Sequence, residues 1–255
     1  MKPPPARPDV PEIVAHRGDA EHFPENTLPA LEAAWRLGLH YAEFDVQLSA
    51  DLVPYLIHDA GLERTTAAAG DVRLMNSGQL DGVDAGEPAR FGTRHAGTRL
   101  PRLAAAADLM RDYPRARAFV ELKRQSLAHH GHAQCVDRVL DALGDARERC
   151  IAISFDSEAC RIARAAGRMP VGWVLRDTPQ ASLAALEDLR PEYVFCDQRL
   201  LPPAGPLPQG SWRWVVYEVT DAATAWRLHA QGAGFVETMA PARLLRELAA
   251  AGKSA

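Results

Sequence analysis

Cysteine is scarce in this sequence, and the few cysteines present stand apart. The four are Cys135, Cys150, Cys160 and Cys196, and no two of them form a C-x-x-C pair. Such spacing argues against a zinc site and against a disulfide scaffold. We interpret them as reduced, partly buried thiols of a cytosolic protein.

Long apolar runs and concentrated positive charge are also missing. No run is long and apolar enough to span a bilayer. The first dozen residues, MKPPPARPDVPE, carry prolines in place of the apolar core of a signal peptide, and residues 1–11 predict a loosely packed lead-in. Lys and Arg are dispersed in a chain of net charge -4, which excludes the basic stripe of a nucleic-acid binder. We therefore predict a cytoplasmic protein without stable membrane insertion, whose partner is a small molecule or, in a homo-oligomer, another copy of itself.

What the sequence does contain is a regular alternation of strand and helix patterns. Its 255 residues, of which 47% are hydrophobic, can bury a full core. The predicted strands are 13–16, 41–46, 118–123, 151–155, 171–175, 193–197, 214–219 and 235–239. The predicted helices are one between Thr27 and Gly38, then 103–111, 132–143, 157–166, 179–189, 222–231 and 242–251. Eight strands alternating with helices favour an α/β fold closed as a (β/α)8 TIM barrel. An open doubly wound sheet is the competing fold, but no G-x-G-x-x-G turn supports it.

One connection departs from this alternation. Only residues 47–52 separate the second strand from a further apolar run that ends at Ile57. A parallel crossover needs about a dozen residues or more, so these two segments predict an antiparallel hairpin whose second arm lies outside the barrel. The stretch that follows is rich in Gly, Asp, Thr and Arg. We predict one catalytic TIM-barrel domain over residues 1–255, with a small inserted lobe at 59–100.

Carboxylates recur at the ends of the predicted strands. Glu43 and Asp45 are two residues apart on one strand, so their side chains point to the same face. Glu121 falls at the end of another strand, and active sites of barrels lie at the C-terminal strand ends. Three carboxylates without a thiolate favour Mg²⁺ or Ca²⁺ over zinc as a cofactor. A lone E-x-D is more often a solvated strand face, but several unpartnered charges on apolar strands would be costly.

Cations and imidazoles complete the pattern. Arg17 and Lys123 supply positive charge for an anionic group, and the guanidinium fork suits phosphate oxygens. Histidine side chains ordinarily titrate near neutrality, so of His16 and His58 one can take a proton and the other can give one. A metal, two cations and two imidazoles together predict phosphoryl chemistry.

These residues stand in a series of motifs that resembles one family. The motifs are H-R-G at 16–18, P-E-N-T at 24–27, E-F-D at 43–45, H-D at 58–59, R-T-T at 64–66, G-D-V at 70–72, E-L-K at 121–123 and S-F-D at 154–156. Their order over most of the chain resembles the glycerophosphodiester phosphodiesterases of the cytoplasmic bacterial type. The resemblance implies a TIM barrel with a small insertion after the second strand, and hydrolysis of glycerophosphodiesters to sn-glycerol 3-phosphate and an alcohol.

The resemblance also implies a role for each site residue. Glu43, Asp45 and Glu121 would hold a divalent metal, and His16 and His58 would form the catalytic general acid/base pair. Arg17 and Lys123 would bind the phosphate. We add Asn26 and Tyr217 as predicted substrate-binding residues, with helix capping as the alternative for Asn26. Asp59 would either orient His58 or end the hairpin arm.

The chain departs from the family pattern at three places. Asp51-Leu52 replaces Asp-Gly in the hairpin, Tyr217 to Thr220 replaces W-T-V-N, and Thr238 to Pro241 replaces T-D-x-P. We expect Tyr217, Glu218 and Glu237 to influence which head group fits. Two other functions stay open: a lysophospholipase D-like or cyclic phosphodiesterase activity, which a wide apolar mouth near Trp212, Trp214 and Tyr217 would favour, and a barrel that binds phosphodiesters without cleaving them.

Overall fold

The computed structural model describes residues 9–167 and 169–251, so residues 1–8 of the predicted lead-in lie outside the described residues. Within these ranges the chain forms nine strands: β1 (Glu12–His16), β2 (Tyr41–Leu48), β3 (Pro54–Leu56), β4 (Arg117–Leu122), β5 (Cys150–Ser154), β6 (Val171–Val174), β7 (Tyr193–Asp197), β8 (Arg213–Tyr217) and β9 (Phe235–Thr238). The ten α-helices of the same ranges are α1 (Leu28–Arg36), α2 (Ser77–Leu80), α3 (Pro88–Phe91), α4 (Leu103–Leu109), α5 (Arg124–His130), α6 (His132–Leu143), α7 (Ser157–Gly167), α8 (Pro179–Leu189), α9 (Ala222–Gln231) and α10 (Pro241–Ala251). None of these helices has the length and hydrophobicity to cross a bilayer.

The strands close into a parallel barrel. All except β3 pair in parallel with two neighbours, and the ring closes where β1 pairs with both β2 and β9. The predicted TIM barrel is therefore confirmed, with each barrel strand ending within two residues of its predicted bounds. Helix α5 was not predicted, because its short polar sequence RQSLAHH buries only Ser126 and Leu127 and so carries little helical periodicity.

The predicted hairpin is also confirmed. Strand β3 pairs antiparallel with β2 and does not join the ring. Leu52 takes a positive φ of 64° in the turn, which explains why a glycine suits this position in the family pattern. Downstream, a small apolar cluster includes Leu62, Val72 and Leu80, of which Leu80 belongs to α2. Treating 59–100 as an inserted lobe of one domain stays a prediction.

Strand periodicity stacks a charged layer on an apolar one inside the barrel. The apolar layer includes Val14, Tyr41, Phe119 and Phe235. Rings from strands that are not neighbours touch there, for example Tyr41 and Phe235 with centroids 5.1 Å apart, so this layer faces the barrel interior. Two residues further along the same strands stand His16, Glu43, Glu121 and Glu237. Because side chains repeat with a period of two, these polar groups face the interior at the C-terminal end of the barrel.

A glycine fixes how the loop after β1 packs against α1. Thr27 caps this helix by accepting from the N–H of Ala30, and Pro29 lies in its first turn. Gly18 has φ +83°, and a Cβ built on it would lie 2.5 Å from the carbonyl carbon of Ala30. Only glycine fits there, because the backbone is left-handed and the helix leaves no room.

We expect Gly18→Ala to destabilise the protein by about 2–4 kcal/mol, since it combines a backbone clash with positive-φ strain. Gly38→Ala is the matched control: Gly38 has φ +86°, but a Cβ there meets nothing within 4 Å. The control substitution is expected to lower the free energy of unfolding by about 1 kcal/mol. Urea unfolding of both variants measures the difference. Equal losses of stability would contradict the conclusion that α1 leaves no room for a Cβ at position 18.

Candidate active site

A cavity of about 110 Å³ opens at the C-terminal ends of the barrel strands. Its polar lining consists of His16, Arg17, Glu43, His58, Glu121, Lys123, Tyr217 and Glu237. The structure thus brings both predicted histidines into one cavity, together with both predicted cations and two of the three predicted metal ligands. Asp45 and Asn26 lie behind this lining.

Three carboxylates form a compact buried cluster. Glu43, Asp45 and Glu121 each offer an oxygen, and these oxygens lie within 4.8 Å of one another. They come from neighbouring strands, because Asp45 stands opposite Glu121 in the β2–β4 register. Glu43 Oε1 is buried without a hydrogen-bond partner, so its lone pairs are available to a cation. An all-oxygen, negatively charged donor set fits a hard divalent cation.

The pKa values of the cluster diverge because the neighbours differ. Burial, and then repulsion from Asp45 and Glu237, raise the pKa of Glu43 well above its ordinary value. For Asp45 the effect of burial is outweighed by Lys123 and Arg17, so its pKa is lowered. Asp45 is therefore a stable anion, whereas Glu43 needs a positive partner to ionise readily.

Two cations contact this cluster directly. Lys123 Nζ lies 3.0 Å from Asp45 Oδ1 and 2.8 Å from Glu121 Oε1, and these carboxylates raise the pKa of Lys123 although burial opposes them. Arg17 Nε lies 3.0 Å from Asp45 Oδ2 but without hydrogen-bond geometry. The backbone N–H of Arg17 donates to Glu43 Oε2 at 3.2 Å. Both predicted phosphate-binding cations therefore lie beside the carboxylates.

His16 is held by a carboxylate that follows β8, two strands away from β1 around the ring. Its Nδ1 lies 2.7 Å from Glu218 Oε2, while its Nε2 is 3.8 Å from Glu43 Oε2. The second oxygen of Glu218 accepts from the backbone N–H of Met239 at 2.6 Å, which fixes the carboxylate in place. Burial alone would lower the pKa of His16, but Glu237 and Glu218 outweigh it and raise that pKa. The contact between Glu218 and His16 was missed from sequence, where the only signal was the departure from W-T-V-N.

His58 also has a carboxylate on Nδ1. The acceptor is Asp59, whose Oδ1 lies 2.6 Å away, so the structure places Asp59 on the imidazole. Arg64 continues the network, because it bonds Asp59 and also donates to Glu25 at 2.7 and 2.8 Å. Glu25 in turn accepts from Arg17 at 2.8 Å. Sequence reasoning did not single out Glu25 or Arg64, although both belong to the P-E-N-T and R-T-T motifs.

The two predicted substrate-binding residues occupy different positions. Asn26 is buried, donates to Asp45 Oδ2 at 2.8 Å and accepts from the Asp45 backbone N–H at 3.0 Å. It does not cap α1, which is capped by Thr27. Tyr217 lines the cavity, and burial raises the pKa of its phenol. A substrate contact stays a prediction for both residues.

Glu237 adds a fourth carboxyl group to the cavity. The residue is only 3% exposed, and its Oε1 is buried without a hydrogen-bond partner. Burial, although opposed by His16, raises its pKa from the ordinary 4.5 to about 7, with further contributions from Glu218 and Glu121. Sequence reasoning noted Glu237 as a head-group residue but did not predict its burial.

This raised pKa predicts a pH-dependent stability. A carboxyl whose pKa is raised by folding stabilises the protein fully below pH 4.5, and that stability is lost as the pH rises through about 7. Between these two pH values the folded state binds more protons than the unfolded state. The contribution of Glu237 to the free energy of unfolding therefore falls by about 3 kcal/mol as the pH rises. Glutamine does not titrate, so we expect the free energy of unfolding of Glu237→Gln to fall less steeply with rising pH than that of wild type. Urea unfolding in EDTA at about pH 5 and pH 7.5 measures it, and an unchanged decline in the variant would contradict the assignment.

Comparison with known proteins identifies relatives of this chain. The model of the "Glycerophosphoryl diester phosphodiesterase family" matches residues 16–202. A glycerophosphodiester phosphodiesterase of Caldanaerobacter subterraneus subsp. tengcongensis is 39% identical over 100 residues, which cover 39% of this chain and 40% of the relative. A probable glycerophosphodiester phosphodiesterase 1 of Mycobacterium tuberculosis is 34% identical over 172 residues, covering 63% of this chain and 62% of the relative. These alignments thus span less than two thirds of the curated relatives.

A solved structure extends the likeness over nearly the whole fold. It is an Oleispira antarctica phosphodiesterase in complex with the product sn-glycerol-3-phosphate. The superposition has a TM-score of 0.80 with 23% sequence identity, and covers 94% of this chain and 97% of that one. At this identity the likeness establishes the barrel fold.

Proposed function

This chain belongs to the glycerophosphoryl diester phosphodiesterase family, and from that membership we propose that it hydrolyses glycerophosphodiesters to sn-glycerol 3-phosphate and an alcohol. One observation carries the proposal. Two histidines, two cations and a cluster of carboxylates from separate strands converge on a single cavity. Phosphoryl transfer needs positioning, charge neutralisation and proton transfer, and this set of side chains can supply all three.

We propose that the reaction depends on a divalent cation, Mg²⁺ or Ca²⁺. Glu43, Asp45 and Glu121 would hold it, as the chemistry of their oxygens and the unpartnered Glu43 Oε1 support. When bound, such a cation polarises a phosphate oxygen and stabilises the charge that develops on it. Asn26 would position Asp45, because its side chain bonds both the carboxylate and the backbone of that residue.

His16 and His58 would transfer the protons. Each imidazole has a carboxylate on Nδ1, Glu218 for His16 and Asp59 for His58, which leaves Nε2 to exchange a proton with a ligand. One histidine would deprotonate the nucleophile and the other would protonate the departing alkoxide. Arg17 and Lys123 would stabilise the negative charge of the phosphate.

A turnover panel tests the proposal. Metal-stripped protein is supplied with Mg²⁺, Ca²⁺ or Mn²⁺ and given glycerophosphodiesters with several alcohols, a lysophospholipid and a cyclic glycerophosphate. Release of sn-glycerol 3-phosphate from the glycerophosphodiesters is the expected result. Binding without turnover under every cation would instead support the non-catalytic barrel, and phosphorus NMR during turnover would reveal a cyclic intermediate.

The structure offers little support for the lysophospholipase D-like alternative. Trp212 and Trp214 are 7% and 3% exposed and pack in the apolar cluster between strands and helices. Their indole rings therefore do not form the wide apolar mouth that an acyl chain would need.

A cytoplasmic location and a homo-oligomeric state are further parts of the proposal. The four cysteines are all unpaired and buried, which supports a reducing compartment. Cell fractionation and light scattering test the location and the oligomeric state.

A further inference from the structure

The cavity holds a carboxyl group that the proposed proton transfers and cation site do not use. Glu237 lines the same cavity as His16, is only 3% exposed, and has one oxygen with no hydrogen-bond partner. A buried polar atom without a hydrogen-bond partner destabilises the folded protein, and it does so more strongly when the group is charged. Buried polar groups of native proteins nearly always have a hydrogen-bond partner, from the protein, from water or from a bound molecule, so this oxygen calls for one.

The order of strands around the barrel places Glu237 on one side of His16 and the carboxylate cluster on the other. Strand β9 pairs with β1, where Glu237 stands opposite Val14. Strand β2, which holds Glu43, pairs with the other edge of β1, where Glu43 stands opposite His16. A phosphodiester bound between the cations and His16 can therefore extend its organic part past the imidazole towards Glu237.

The size of the cavity limits what this organic part can be. A volume of about 110 Å³ is well above the ~10–15 Å³ that admits one water, but below the roughly 300–1,000 Å³ of pockets that bury drug-sized ligands. A phosphate joined to a three-carbon polyol has only about ten non-hydrogen atoms and is a ligand of the small, polar kind that such a cavity suits. A hydroxyl is the hydrogen-bond donor such a group would present to a carboxyl oxygen.

Building on the proposed function, we propose that Glu237 is a specificity-determining residue that accepts a hydrogen bond from a hydroxyl of the substrate's glycerol moiety. The missing partner of its buried oxygen is then supplied by the substrate. A site built around a hydroxyl rejects an analogue that lacks it, because the buried acceptor is left unpaired.

The test compares two substrates on three proteins. One substrate is a glycerophosphodiester and the other is the same diester with a propyl group in place of glycerol. Wild-type protein is expected to prefer the first by about 100-fold in kcat/KM. Glu237→Leu should lose most of that preference, through a loss on the glycerol substrate alone. Glu237→Gln, which keeps an acceptor oxygen, should retain a preference within about tenfold of wild type.

Calorimetry gives a second readout that does not depend on turnover. Wild-type protein loaded with the same cation is expected to bind sn-glycerol 3-phosphate more tightly than propyl phosphate. Glu237→Leu should bind both with similar affinity, while its affinity for inorganic phosphate stays within about threefold of wild type. Glu12→Leu, on the same barrel but at the opposite end of β1, controls for the loss of a carboxylate.

The outcomes separate this inference from the proposed function. If wild type cleaves the diesters but Glu237→Leu keeps the full preference for glycerol, the specificity role is overturned and the activity stands. If wild type cleaves no diester, the proposed function fails, and calorimetry with the two phosphates still decides the role of Glu237. Circular dichroism and thermal unfolding establish that each variant is folded.

Discussion

Replacing His16 with alanine is expected to lower kcat/KM for glycerophosphodiesters by about 10²- to 10⁴-fold, the range that a positioned general acid or base contributes. His16 occupies the centre of the site, with Glu218 2.7 Å from its Nδ1 and Glu43 3.8 Å from its Nε2. Alanine keeps the fold, because the side chain packs at the mouth of the barrel and not in its apolar layer. Steady-state kinetics with saturating cation measures the loss.

His40→Ala is the matched control for this prediction. His40 precedes β2 at the opposite end of the barrel, where its Nδ1 lies 3.6 Å from Glu12. Its activity is expected to stay within about twofold of wild type. A His16→Ala variant that is folded, loaded with cation and still within tenfold of wild type would refute the assignment of proton transfer to His16.

Glu218→Gln provides a graded test of the same site. Glu218 is one of the carboxylates that raise the pKa of His16, so its neutral replacement should lower that pKa. The limb of the pH–rate profile that reports His16 should therefore move to lower pH, and kcat/KM should fall by about tenfold or more. An unchanged profile would show that Glu218 does not act through the imidazole.

Removing divalent cations is expected to abolish turnover, and adding Mg²⁺ or Ca²⁺ back should restore it. Cation binding should also stabilise the fold, because burial and like charges raise the pKa values of Glu43 and Glu121 and a cation offsets both. At a cation concentration of about 100 times Kd the gain is about 2.7 kcal/mol. For a protein of this size that corresponds to a rise in Tm of about 5–10 °C, measurable by calorimetry. Full turnover by stripped protein in EDTA would refute the cation dependence.

Glu43→Gln should separate stability from activity. In EDTA the variant is expected to be at least as stable as wild type, because the mutation removes a buried carboxyl group whose ionisation is opposed by burial and by neighbouring carboxylates. It should lose about 10²-fold or more in turnover and most of the cation-induced rise in Tm. Glu12→Gln, far from the cavity, should change neither quantity. A Glu43→Gln variant with an undiminished rise in Tm would exclude Glu43 as a ligand.

Much of the fold follows from local patterns in the sequence. Apolar runs such as 193–197 predicted strands because side chains alternate with a period of two, and 132–143 predicted a helix because its apolar residues recur every three or four positions. The residues between β2 and β3 are too few for a parallel crossover, so chain length alone determined the hairpin. The spacing of Glu43 and Asp45 likewise determined that both carboxylates lie on one face of their strand.

Tertiary structure alone determined the partners of the site residues. His16 and Glu218 are 202 positions apart, and they meet because ring closure brings the end of β8 near the end of β1. In the sequence, Glu237 is a single acidic residue within an apolar strand. Its oxygen is buried without a hydrogen-bond partner because the closed ring of strands surrounds it. Periodicity specifies which face of a strand a side chain occupies, whereas the groups across that face depend on strand order and register, which no local pattern encodes.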